Sequence, residues 1–378
     1  MRLLIHKLAL VVFVLLLTLV TAGQQNLISG AGNAAAAQET DDQVKIDIYK
    51  RFVDNRIPNP TVAYQAARDY MQRYSKEKDQ YTDYIKQWMM FYERDERKRR
   101  LPILINEKNF AEAYKVGNQI LSDEPDYLRS QIDLGYAGYL AATYCANPVT
   151  EAGDTLRKIA QRCSVTPEDA ARMNNNMPLD NPLPVGQAIK LPAAAATTFN
   201  TEALASARKA IQVVESGKAP SDWEPFKGKD DTLAHLYYAI ASLNLKSAPD
   251  QAIDPLLKVA QGTSDLKKTP STYYYLAYAY ETGPYRTLST AYQTNYAGKP
   301  ETPESKAALE KLNVVIDRLI DAYARAVAAA GTDPKTQSAK AGWMATLTNY
   351  WKFRHENSEA GLNEFIATVL SKPLPPKP

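Results

Sequence analysis

The chain has 378 residues, 45% hydrophobic and 23% charged, enough apolar material for one large or two modest cores, which excludes global disorder. Setting aside Arg2 and Lys7 leaves 43 basic against 42 acidic residues, a net charge of +1, so nothing in the balance attracts nucleic acid. With two cysteines and three histidines in the whole chain, metal-ligand spacing is absent and no cofactor is implied.

The first residues place Arg2, His6 and Lys7 ahead of an uncharged, mostly apolar run from Leu8 to Val20, followed by the small residues Thr21 and Ala22. This pattern predicts a secretory signal over 1–22, with a second small-residue cut site at Ala35-Ala36-Ala37 and a flexible linker over 23–43. The run is shorter than the roughly 18 residues that span a bilayer, so a membrane is met only if the segment stays uncleaved. No cysteine follows it to carry a lipid. The expected location is outside the cytoplasm, periplasmic or extracellular and cell-wall associated, in a bacterium.

From about Val44 the dominant signal is helical, with apolar residues three and four apart between caps. The run Arg97-Lys98-Arg99-Arg100 follows Glu93, Asp95 and Glu96 and reads as a solvated helix end. Asn109 with Glu112 predicts a capped helix whose stripe is Phe110, Ala113, Tyr114, Gly117 and Ile120, and Pro125 opens the next. Thr269-Pro270 starts a tyrosine-rich helix. Thr302-Pro303 starts a longer one bearing Leu309, Leu312, Ile316, Leu319 and Tyr323.

Tyr237 to Leu243 recurs in kind at Tyr274 to Tyr280, and such a period belongs to stacked helix hairpins. With Ala113, Pro125 and Leu134-Gly135 at matching spacing, the chain resembles tetratricopeptide repeat proteins over 44–144 and 195–378. That resemblance implies a mainly α solenoid whose curved surface docks an unidentified protein. Tyr273, Tyr274, Tyr275, Tyr278 and Tyr280 read either as such a docking surface or as packing between repeats.

One segment breaks the pattern. Asp126 to Ala142 and Asn200 to Ser216 read as partner helices, yet the stretch between them is far longer than a helix hairpin needs, so a folded unit is inserted at 145–193. Within it Asp154 is placed to cap a short helix with Leu156, Ile159, Ala160 and Cys163 on one face. Thr166 caps a second, with Pro167 at its first position, and Val185 to Pro192 alternates as a half-buried strand. Gly153-Asp154-Thr155-Leu156, Ile159-Ala160, Val165 to Asp169, Asn174 and Leu183 to Pro192 closely resemble the LysM motif.

The LysM resemblance implies a βααβ α+β fold with adjacent antiparallel strands, so that its ends lie together and it can interrupt a hairpin. It also implies binding of N-acetylglucosamine-containing glycans, peptidoglycan or chitin, in a groove where Gly153, Asp154, Thr155 and Leu156 face Met177, Pro178, Leu179 and Asp180. Pro148 occupies the first strand and no aromatic residue occurs from Ala146 to Pro192, so stacking of rings on sugar is unavailable there. Export favours pairing Cys145 with Cys163; the alternative is a buried Cys163 and an incidental Cys145.

Catalytic readings are weak. His235 and His355 are far apart in the sequence, and Asp222-Trp223-Glu224 and Asp230-Asp231 lie near helix starts, where carboxylates are expected. The sequence therefore reads as a non-catalytic exported scaffold that binds wall glycan through the insert and a protein through the helices. The alternatives are a purely protein-binding scaffold with a structural insert, and a wall hydrolase with an unrecognised site.

Overall fold

The computed structural model describes residues 32–377, with side chains from residue 41 onward; the signal segment 1–22 lies outside them. The chain divides between Glu93 and Arg94 into two compact units. Described residues are 71% helix and 1% strand, which makes the fold mainly α.

The first unit holds α1 (Gly32–Asn55), α2 (Pro60–Tyr74) and the start of α3 (Gln80–Asn106). Phe52, Ala63, Ala66, Ala67, Tyr70 and Ile85 form its core, and Trp88 meets Phe52 edge to face at 5.1 Å. The helix α1 begins inside the stretch read as a linker, because the alanine run 34–37 consists of the strongest helix former.

The basic run does not end a helix. The helix α3 continues to Asn106 and carries Pro102 within it. Leu101 and Leu104 are buried beyond the run, and its cations reach the next helix, α4 (Phe110–Asp123), and its cap: Arg97 to Asp123 at 2.5 Å, Lys98 to Glu124 at 2.7 Å. Burial of that last turn and the pairs across the bend outweigh the dipole preference that suggested a stop. At the start of α4 the predicted stripe is buried, but the Asn109 side chain makes no cap bond, and Glu112 pairs with Lys115 and Arg100. Pro125 stays in the turn, its carbonyl accepting from Gln131, and α5 (Leu128–Ala146) starts later.

The helices that follow are α8 (Asn200–Glu215), α9 (Lys229–Asn244), α10 (Asp250–Gln261), α11 (Pro270–Tyr280), α12 (Arg286–Asn295), α13 (Pro303–Ala330), α14 (Gln337–Arg354) and α15 (Leu362–Thr368). The pairs α9 with α10, α10 with α11, α11 with α13 and α13 with α14 pack against one another. Thr302 and Ser305 form a reciprocal capping box at the start of α13. Tyr238 and Tyr275, equivalent positions of the two similar helices, stack with ring centres 5.7 Å apart, and Tyr139 meets Tyr238 at 5.4 Å. Among the described residues no helix is long and apolar enough to cross a membrane.

The predicted partners α5 and α8 do pack together across the interruption. Gly135 lies against the Ala207 backbone and Gly138 against Ala203, so closely that an added Cβ would stand 2.8 Å and 2.1 Å from the nearest atoms. Beside this contact Asp133 is buried and bonded to Arg129 at 3.0 Å. Burial pushes its carboxyl up to about 6, over the opposing pull of Arg129. A carboxyl raised by folding loses stability as pH climbs from its unfolded to its folded value, here from about 4 to about 6. Asp133→Asn is therefore expected to gain stability relative to wild type between pH 4 and pH 7. Paired urea melts across that range check this, and a gap that stays constant with pH contradicts it.

Candidate functional site

The insert occupies the connection between α5 and α8 and contains α6 (Leu156–Arg162) and α7 (Pro167–Met173). Leu156, Ile159, Ala160, Cys163, Ala170, Ile189 and Leu191 are buried in one core with Phe110, Ala113, Tyr114 and Leu134 of α4 and α5. The insert is thus built onto the helical stack. Cys145 at the end of α5 is disulfide-bonded to Cys163, closing a loop that contributes about 3 kcal/mol. Tyr144 packs on Phe110 and accepts from Arg162 at 3.3 Å, while Lys108 pairs with Glu151.

Backbone pairing between the insert's two ends is antiparallel, with an isolated bridge between Val149 and Ala188 and bonds from Thr150 to Gln187, Gly186 to Thr150 and Ile189 to Pro148, each 2.9 Å. No named strand forms there, contrary to the expected two. Pro148 offers a carbonyl but no N–H, and Pro184 and Pro192 flank the other segment, so the ladder stops after one bridge. Asn174 secures the second segment instead: its side chain donates to Lys190 O at 2.8 Å and accepts from Lys190 N at 3.0 Å. Thr166 caps α7 through Asp169 N, as predicted.

Thr155, not Asp154, caps α6, accepting from Lys158 N. Asp154 is 1% exposed; one oxygen accepts from Glu151 N at 2.8 Å and the other pairs with Arg162 at 2.7 Å. It braces the turn from beneath rather than capping the helix. The two are adjacent in sequence, and the half-buried Arg162 partner draws Asp154 inward, leaving Thr155 to the cap.

The two loops of the expected groove come together. Arg157 N donates to Leu179 O at 3.0 Å and Leu183 N to Asp154 O at 2.9 Å. The Arg157 guanidinium grips the Asp180 carboxylate with two bonds, 2.7 and 3.0 Å, which holds that carboxyl below its usual range. Of the eight residues, Gly153, Pro178 and Asp180 are exposed, Thr155, Met177 and Leu179 half-buried, and Asp154 and Leu156 buried. The last two build the fold and present no side chain to a ligand. Gly153 turns the chain with φ +81°, and its carbonyl accepts from the Lys158 ammonium at 2.9 Å. The N–H groups of Gly153, Thr155, Leu179 and Asp180 and the carbonyls of Met177 and Pro178 have no protein partner among the described residues. Arg157 was missed by sequence reasoning; it follows the quoted motif directly, but its role depends on knowing that the loops touch.

The catalytic candidates are engaged in packing. His235 lies 2.8 Å from Asp231 O and against Phe226, and His355 stacks on Trp351 at 3.9 Å. Asp222 pairs with Arg129, and Asp231 accepts from Ser264 at 2.6 Å. No group of three or more potential metal ligands occurs among the described residues.

Residues 149–192 match the LysM domain family. The match covers the insert alone, and no tetratricopeptide family match accompanies it in the helices. The LysM domain is a binding module and not a catalytic one, and points to glycans that contain N-acetylglucosamine. No curated protein and no solved structure matches the chain.

Proposed function

We propose that the protein is a non-catalytic scaffold outside the cytoplasm, which binds peptidoglycan or a chitin-type glycan through the insert and a protein through the helical stack. The observation that carries the glycan half is the set of unpartnered backbone donors and acceptors at Gly153, Thr155, Met177, Pro178, Leu179 and Asp180, beside the apolar surface of Met177, Pro178 and Leu179. An acetamido group needs one donor, one acceptor and apolar contact for its methyl, and two facing loops can supply all three. Export rests on the leader pattern at 1–22, and the docking role on the helical stack.

A second reading, in which the insert is structural, draws on its core shared with α4 and α5 and on its lack of aromatic residues. Titrating N-acetylchitopentaose into the labelled protein while following amide resonances separates the two. The proposal expects saturable shifts at Gly153, Thr155, Leu179 and Asp180, whereas the structural reading expects none.

A further inference from the structure

The second unit carries a cleft of about 680 Å³ with no part in the insert. Its walls are the segment Glu281–Tyr285, α12, α13 and α14, and its volume is that of a small-ligand site. Glu281, Tyr285, Tyr292, Tyr350, Asn349 and Phe353 line it.

Glu281 is held by two neutral donors. Its two carboxylate oxygens accept from Tyr323 at 2.6 Å and from Tyr350 at 2.9 Å, which fixes the group in place. Burial and the bonds to Glu281 both raise the tyrosine hydroxyls, which keeps them neutral donors. Among the described residues no lysine, arginine or histidine forms an ion pair with Glu281. The cations next to the cleft on α14 are taken, Lys352 by Glu359 at 2.6 Å and Arg354 by Asp317 at 2.8 Å. A half-buried carboxylate among aromatic rings has lost hydration, and two neutral donors replace only part of it.

The backbone is arranged to produce this. Between α11 and α12 the helix widens into a π turn over Glu281–Tyr285, with Pro284 removing a ladder donor. Gly283 seats the turn against α10: a Cβ there would lie 2.6 Å from the Asp250 carboxylate. The irregular turn therefore has one side fixed on α10 while Glu281 and Tyr285 line the cleft. Tyr285 meets Tyr350 edge to face at 5.4 Å, and Phe353 is 61% exposed at the rim.

We propose that this cleft binds an alkylammonium group of the lysine type, its charge on Glu281 and its methylene stem against Tyr285 and Phe353. Rings attract a cation over their faces, the carboxylate supplies the counter-charge, and the apolar rim takes the stem. A neutral ligand would use the rings but leave the carboxylate without its missing partner. The site stands apart from the insert, and its occupancy does not depend on glycan binding.

The test is a calorimetric or NMR titration of the whole protein with Nα-acetyl-lysine methylamide, its norleucine counterpart and cadaverine. Expected are saturable binding of the lysine compound, at least ten-fold weaker binding of the norleucine one, and a loss of at least ten-fold in Glu281→Gln. Because Glu281→Gln also alters the bonds to Tyr323 and Tyr350, Phe353→Ala, at an exposed rim position, serves as the second variant and should weaken binding about three-fold. Tighter binding of the lysine compound than of cadaverine assigns the site to a peptide side chain, and the reverse to a free amine; either ranking supports it. Equal binding of the norleucine compound, unchanged binding in both variants, or no binding of either amine overturns it.

Discussion

Replacing Gly138 with alanine is expected to destabilise the protein by about 1–3 kcal/mol, the usual cost of forcing a methyl group into a filled core. The added Cβ would stand 2.1 Å from that of Ala203 and 3.0 Å from the Tyr114 hydroxyl, which already donates to Leu134 O at 2.8 Å. The sign is the informative part. At an ordinary site inside a helix the same change stabilises by about 1 kcal/mol, because alanine is the better helix former. Gly138 instead lets α5 and α8 approach across the inserted module. The double variant Gly138→Ala with Ala203→Gly should recover much of the loss, since it returns the volume on the facing helix. Urea melts of the three proteins check this, and a neutral or stabilising Gly138→Ala means the two helices are not held this close.

Asp154→Ala is the second large effect, expected to cost about 3–5 kcal/mol, as for other buried ion pairs that lose one member. It removes the acceptor of Glu151 N and leaves Arg162, 21% exposed at its side chain, with Tyr144 as its remaining side-chain partner. Since the insert shares its core with α4 and α5, the loss should appear in the main unfolding transition rather than in a separate early step. Arg162→Met in the same chain should restore part of the stability by removing the stranded charge. If Asp154→Ala melts like wild type, the carboxylate is a surface feature and becomes available to a ligand again.

Much of this architecture was legible because its signals are local. Thr166-Pro167, Thr269-Pro270 and Thr302-Pro303 state helix starts through residues adjacent in sequence, and all three start helices. The interruption between α5 and α8 could be read from length alone. What was not legible depends on distant partners. Asn109 does not cap although its position is right, and the basic run does not stop α3, because Asp123 and Glu124 lie beyond a bend that sequence spacing does not fold. Asp154 was the expected cap, but its pairing with Arg162 draws it away and Thr155 takes the bond. In the same way the groove positions followed from the resemblance, but the exposure that separates Pro178 and Asp180 from Leu156 came only with the packed core. The π turn at Glu281–Tyr285 leaves no pattern beyond a Gly-Pro pair inside a helical stretch.

The central claim is that the insert holds wall glycan through its two loops. Its most direct test is co-sedimentation of protein expressed from residue 23 with insoluble peptidoglycan and with chitin, beside the variant Pro178→Asp. Pro178 is exposed in the groove, so this change places a charge there without disturbing the core shared with the helices, as removal of the whole insert would. Retention of the wild type in the pellet, release by soluble chito-oligosaccharide and weakened retention of a normally folded Pro178→Asp are the results expected. Wild-type protein that stays in the supernatant with both polymers contradicts the claim and leaves the insert a structural part of the helical stack.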